Sequence, residues 1–115
     1  MKGFASCTIV GNLTRDIAMK FMPDGTQIAE FGLAVNRKKK GEDEVSFFDV
    51  TAFGKTAEIA GQYLVKGSPV AIEGRLEQQR WETQDGQKRS KIAVIVNQLH
   101  FLPDGKSAPV EEAQA

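Results

Sequence analysis

Apolar and polar positions alternate with a period of two over most of the chain. In Ile28–Asn36, Ala29, Phe31, Leu33 and Val35 share one parity, while Glu30, Gly32, Ala34 and Asn36 share the other. Successive side chains on a strand point to opposite faces, so this spacing predicts a strand with one face in a core. The β-branched, apolar run Cys7–Leu13 predicts a strand before it, and Pro23-Asp24-Gly25 a turn between the two. Val45–Phe53, Val70–Trp81 and Lys88–Leu102 also predict strands, the last two joined by a turn at Asp85-Gly86. Arg37–Glu44 is charged throughout except at Gly41 and predicts a hairpin loop.

One segment carries a helical period instead. From Thr56 to Val65, Ala57, Ala60 and Leu64 fall on one stripe, Glu58 occupies the first turn, and Gly67 stands where a C-terminal cap belongs. From Pro103 onward the residues turn polar and small, which predicts a flexible C-terminal tail over 103–115 behind a single domain at 1–102. Three strands, a helix and a long hairpin are the element order of the OB-fold. The expected architecture is all-β with one helix, a five-stranded barrel carrying a long β-hairpin.

Composition narrows the function classes. At 115 residues the chain fits one domain, and no apolar run approaches the roughly 18 residues of a membrane helix. No secretory or transit segment opens the chain, so a cytoplasmic location is expected. Cys7 is the lone cysteine, without a disulfide partner, and its apolar run predicts a buried thiol. Fifteen basic and fifteen acidic residues cancel overall. Their distribution is uneven, because residues 1–41 hold seven basic side chains against three acidic ones. That pattern is compatible with a basic groove.

Several short motifs carry no chemistry. Gly54-Lys55-Thr56 resembles the end of a phosphate loop, but the position of that motif's first glycine holds Asp49. Asn12-Leu13-Thr14 matches a glycosylation sequon without a secretory signal. His100 is the only histidine and has no catalytic partners nearby in sequence; an ordinary strand-end hydrogen bond accounts for it. Glu42-Asp43-Glu44 lacks the ligand spacing of a calcium loop and reads as a solvated turn. No catalytic or metal site is expected, and no cofactor.

Aromatic parity is more informative. In Val45–Phe53, the apolar face of Phe48, Val50 and Ala52 takes the core side. Phe47 and Phe53 then share the opposite face with Asp49 and Thr51. In Val70–Trp81, Val70, Ile72 and Leu76 point inward and Trp81 shares the outward parity of Glu73, Arg75, Glu77 and Gln79, unless a bulge at Gly74 shifts it. Rings on polar faces with Lys55, Lys66 and Arg80 nearby in sequence form a platform on which unpaired bases stack, or pack at a subunit interface. Arg37, Lys38 and Lys39 are candidates for phosphate contact, or form a solvated turn paired with Glu42–Glu44.

Ile9-Val10-Gly11-Asn12-Leu13-Thr14-Arg15-Asp16 and Phe21-Met22-Pro23-Asp24-Gly25 resemble the opening of bacterial single-stranded DNA-binding proteins. Ala52-Phe53-Gly54-Lys55-Thr56-Ala57-Glu58, Tyr63-Leu64-Val65-Lys66-Gly67-Ser68, Ile72-Glu73-Gly74-Arg75-Leu76 and Arg80-Trp81 continue the resemblance in order, over about residues 4–102. It implies an OB-fold, a homotetramer wrapped by single-stranded DNA, and service in replication, recombination and repair without cofactor or metal. The family's stacking rings correspond to Phe47, Phe53 and Trp81, and its groove cations to Lys55, Lys66 and Arg80.

Three departures stand out. Lys38 and Lys39 occupy the place where many members carry a tryptophan, and Glu77-Gln78-Gln79 stand where relatives often place arginines. The final Val110-Glu111-Glu112-Ala113-Gln114-Ala115 lacks the acidic, phenylalanine-tipped end through which the family recruits repair and replication enzymes. Two other assignments compete: a protein-interaction OB module of the primosomal accessory type, and an RNA-binding barrel of the cold-shock kind. Retention of all three rings favours DNA over the first, and the lack of clustered aromatic strand motifs weighs against the second.

Overall fold

A computed structural model of the chain describes residues 1–103. Its elements are β1 (Ser6–Leu13), β2 (Ala18–Phe21), β3 (Gln27–Lys39), β4 (Glu42–Phe53), α1 (Lys55–Tyr63), β5 (Pro69–Glu82) and β6 (Lys88–Phe101). The polar segment expected as a tail lies, from Asp104 on, outside the described residues.

Five strands close a barrel in the order β1-β5-β6-β4-β3, and β1 returns to β3 through the pairs Asn12–Ala34 and Leu13–Leu33. Period-two burial sustains it. Cys7, Ile9, Gly11 and Leu13 turn inward from β1, with Ile9 and Leu13 buried and Cys7 only partly so. Phe31, Leu33, Val50, Ile72 and Val94 complete the centre of the core. Each such side chain contributes on the order of 1.5–3 kcal/mol on burial. Among the described residues, no helix is long and apolar enough to cross a membrane.

The structure corrects the sequence expectations at four places. Ala18–Phe21, left unassigned by periodicity, pairs with Gln27–Glu30 as β2. All four of its residues are exposed, so no burial pattern marked it. The charged loop expected over Arg37–Glu44 is instead mostly ladder. Arg37–Glu44, Lys38–Asp43 and Lys39–Glu42 are cross-strand pairs, and only Lys40 and Gly41, both at positive φ, make the turn. Complementary charges on opposing strands let the ladder run to its tip.

The helix is shorter than expected. It ends at Tyr63 with Leu64 extended, although Ala57, Ala60 and Leu64 are buried as the stripe requires. Gly67 does not cap it. Its N–H donates to the Leu13 carbonyl at 2.8 Å, which ties the helix exit to the end of β1.

Phe48 and Leu76 have inward parity but are exposed rather than buried, Phe48 to 38%. Their cross-strand partners, Leu33 and Val94, are buried, so both residues stand at the margin of the core. Ile92, the next inner position of β6 after Val94, is exposed as well.

Candidate strand-binding face

The outward positions of β5, β6, β4 and β3 form one continuous surface. Trp81 lies opposite Arg89, Gln79 opposite Lys91 and Arg75 opposite Ile95 across β5–β6. The parallel pair Thr51–Ile95 then carries the same face onto β4, and Asp49–Gly32, Phe47–Ala34 and Phe53–Ile28 carry it onto β3. The bulge expected to threaten Trp81 exists, between Glu73 and Gly74, but the unpaired residue is Asn97 on β6. The alternation of β5 is therefore undisturbed, and Trp81 remains outward.

Phe47, Phe53 and Trp81 are 71%, 40% and 47% exposed on this surface. Ala34 opposite Phe47 is small, so nothing on the neighbouring strand screens that ring. An aromatic face held open on a rigid sheet offers π-surfaces to flat, apolar rings of other molecules.

The cations nominated from sequence are scattered more widely. Lys55 begins α1, just after Phe53, and pairs with Glu58 at 3.4 Å. Lys66 lies between α1 and β5, its backbone N–H donating to Asp16 Oδ1 at 2.7 Å. Arg80 has the opposite parity to Trp81 and donates from Nη2 to Gln78 Oε1 at 2.7 Å, on the other side of the hairpin. Arg37 pairs with Glu44 at 3.3 Å and Lys38 with Asp43 at 3.9 Å, so much of the hairpin charge is met within the hairpin. Lys39 stands opposite Glu42 at the tip.

Three cations missed by sequence reasoning lie on the aromatic face itself. Arg89 is the direct partner of Trp81, and Lys91 follows two residues on, its Nζ 3.9 Å from Asp49 Oδ2. The ladder is centred on Asp85 alone, whereas a two-residue turn at Asp85-Gly86, as the sequence suggests, sets Trp81 opposite Ser90 and turns both cations to the other face. Arg15 reaches the face from the β1–β2 loop over Gly32, where an added Cβ would fall 2.6 Å from Thr14 Oγ1 and 3.0 Å from Arg15 Nη1. No local signal in the sequence announces that approach.

An open recess of about 180 Å³ lies between the two phenylalanines, its polar lining supplied by Arg15, Glu30, Asp49, Thr51 and Lys91. A larger one of about 420 Å³ surrounds the outer part of the β5–β6 hairpin, lined by Arg80, Trp81, Glu82, Lys88, Arg89 and Ser90. The turn closing that hairpin is held by Asp85, whose carboxylate accepts from the Thr83 hydroxyl. This bond first, and the Gln87 N–H second, hold the Asp85 carboxyl below the usual aspartate range. His100 makes the ordinary contact expected of it, with Nε2 3.1 Å from Glu73 Oε2.

Comparison with known proteins places this surface in a family. The model of the single-strand binding protein family matches residues 4–102. A single-stranded DNA-binding protein of Wolinella succinogenes is 50% identical over 105 residues, covering 87% of this chain and 64% of that protein. One from Helicobacter hepaticus is 43% identical over 115 residues, covering 93% of this chain and 68% of the relative. One from Aquifex aeolicus is 39% identical over 113 residues, with 92% and 76% covered. The chain thus spans about two thirds of the length of the relatives it matches. The match spans every strand of the barrel and the three rings of this face, and the chain belongs to the single-strand binding protein family.

Proposed function

We propose that this protein coats single-stranded DNA with little regard to sequence, protecting it during replication, recombination and repair. It does so as a binding protein in the cytoplasm, not as an enzyme. The observation that carries this reading is the placement of Phe47, Phe53 and Trp81, all exposed, on one outward sheet face. Bases stack on the rings at about 1–3 kcal/mol each, and every base has a π-face to offer. Arg89, Lys91 and Arg15 on the face, with Lys55, Lys66 and Lys39 at its margins, meet the phosphates and release their counterions, while Arg80 faces away.

Assembly into a homotetramer accompanies binding. Residues Ser6–Gly11 of β1 pair with β5 on one side only, while β3 takes up just Asn12 and Leu13 on the other. Val10 projects outward there at 56% exposure. Pairing of two copies across this edge would satisfy its hydrogen bonds and cover Val10 together.

Titration of Trp81 fluorescence with poly(dT) tests the reading. Strong quenching at low salt that is relieved by added salt is the expected result. An unchanged signal at every salt concentration sinks it and favours a protein-interaction role for the same rings.

A further inference from the structure

Between the two outward phenylalanines of β4 stands Asp49, an anion at the centre of a face otherwise suited to a polyanion. Its position is well defined. It is two residues from Phe47 on the same side of one strand, about 7 Å along it. That span is close to one step of an extended nucleotide chain, so a base stacked on Phe47 brings its edge to Asp49.

The carboxylate is also free to accept. Lys91 Nζ lies 3.9 Å from Oδ2, beyond hydrogen-bonding length, and the Asp49 side chain takes no hydrogen bond from the described residues. Glu30, the other acid lining the recess, is occupied by Lys20 at 3.0 Å. The recess therefore presents two adjacent acceptor oxygens flanked by an ammonium, with the Arg15 guanidinium approaching over Gly32.

We propose that Asp49 and Lys91 form a base-reading slot within the strand-binding face, and that the base they favour is guanine. This rests on the single-strand-binding reading above. The unpaired Watson–Crick edge of guanine carries two neighbouring donors, N1–H and N2–H, beside the acceptor O6. A carboxylate accepts both donors and an ammonium donates to the acceptor. Cytosine and adenine offer one amino donor beside a ring acceptor that faces the carboxylate. Thymine offers one imide N–H between two carbonyl oxygens and is the poorest fit. Coating stays general because the stacking rings take any base, and Asp49 adds a bias on top.

Competition with the full chain separates these effects. The probes are otherwise identical oligo(dT) strands carrying isolated guanines or isolated inosines at the same positions. Inosine keeps the purine ring, N1–H and O6 and lacks only the 2-amino group, so stacking is matched. The guanine strand should bind about three- to tenfold more tightly, the net worth of one ordinary hydrogen bond, because water around the exposed carboxylate screens its charge. Asp49→Ala, which removes both acceptor oxygens, should abolish that ratio. Equal affinity for guanine and inosine strands, or a ratio that survives in Asp49→Ala, overturns the inference and leaves general coating intact. Failure to bind any of the strands overturns the coating reading and the slot with it.

Discussion

Trp81 and Arg89 stand directly opposite each other across the β5–β6 ladder, an indole and a guanidinium on one face of a hairpin that projects past the barrel. The pair joins a stacking surface to a phosphate partner within a single cross-strand step. Trp81→Ala and Phe53→Ala should each weaken oligo(dT) binding by about 1–3 kcal/mol, measured by fluorescence anisotropy with a labelled strand. Their melting curves should stay near that of the parent protein. A variant that unfolds or dissociates while binding persists would place its ring in packing instead.

Salt dependence should separate the cations. Arg89→Ala removes a charge from the aromatic face, and the slope of log K against log salt should flatten by about 0.7, the share of one phosphate on a single strand. Lys38→Ala should flatten it by less, because Asp43 already meets part of that charge within the hairpin. Equal losses for the two variants would mean that the hairpin opens its ion pairs to DNA.

Gly32→Ala should disturb the face without touching a ring. The new Cβ meets Thr14 Oγ1 and Arg15 Nη1, so these two side chains of the β1–β2 loop must give way. Denaturant unfolding should show a loss of about 1–3 kcal/mol, the usual cost of overpacking. DNA affinity should fall with it as Arg15 is displaced. Unaltered stability would show that the loop yields freely.

Acid should loosen the tip of the β5–β6 hairpin before it unfolds the barrel. The folded-state pKa of Asp85 is depressed by Thr83 and Gln87, so its contribution is present above the ordinary aspartate value. It is lost as pH falls from there through the lowered folded value. Protection of the Gly86 and Gln87 amides, taken relative to intrinsic exchange at each pH, should fall across that window, and Asp85→Asn should remove this loss. The site is fully solvated, so global stability should change little.

Val10→Lys should shift the protein toward the monomer in sedimentation equilibrium, since it places a charge on the outer face of the β1 edge. The parent chain should sediment well above its 12.6 kDa monomer mass. A single monomeric species at micromolar concentration would refute the assembly and leave the strand-binding face as it is.

Much of this architecture was legible from the sequence because strand parity is a local property. The alternation in Ile28–Asn36 and Val45–Phe53 sets which side chains share a face, and Phe47, Phe53 and Trp81 emerge outward for that reason. The helical stripe of Ala57, Ala60 and Leu64 is local in the same way, and it stayed in place even though the helix ends at Tyr63. Tertiary structure decided what depends on where a strand ends or which strand lies beside it. Phe48 and Leu76 have core parity yet stand exposed at the margin of the core, beside the buried Leu33 and Val94, where inward parity alone does not bury a side chain. Arg80 adjoins Trp81 in sequence yet faces away, while Arg89, eight residues on, faces with it, because cross-strand register outranks chain proximity. Arg15 reaches the same face only because Gly32, on another strand, leaves room for it, a fit between two segments that neither one encodes alone.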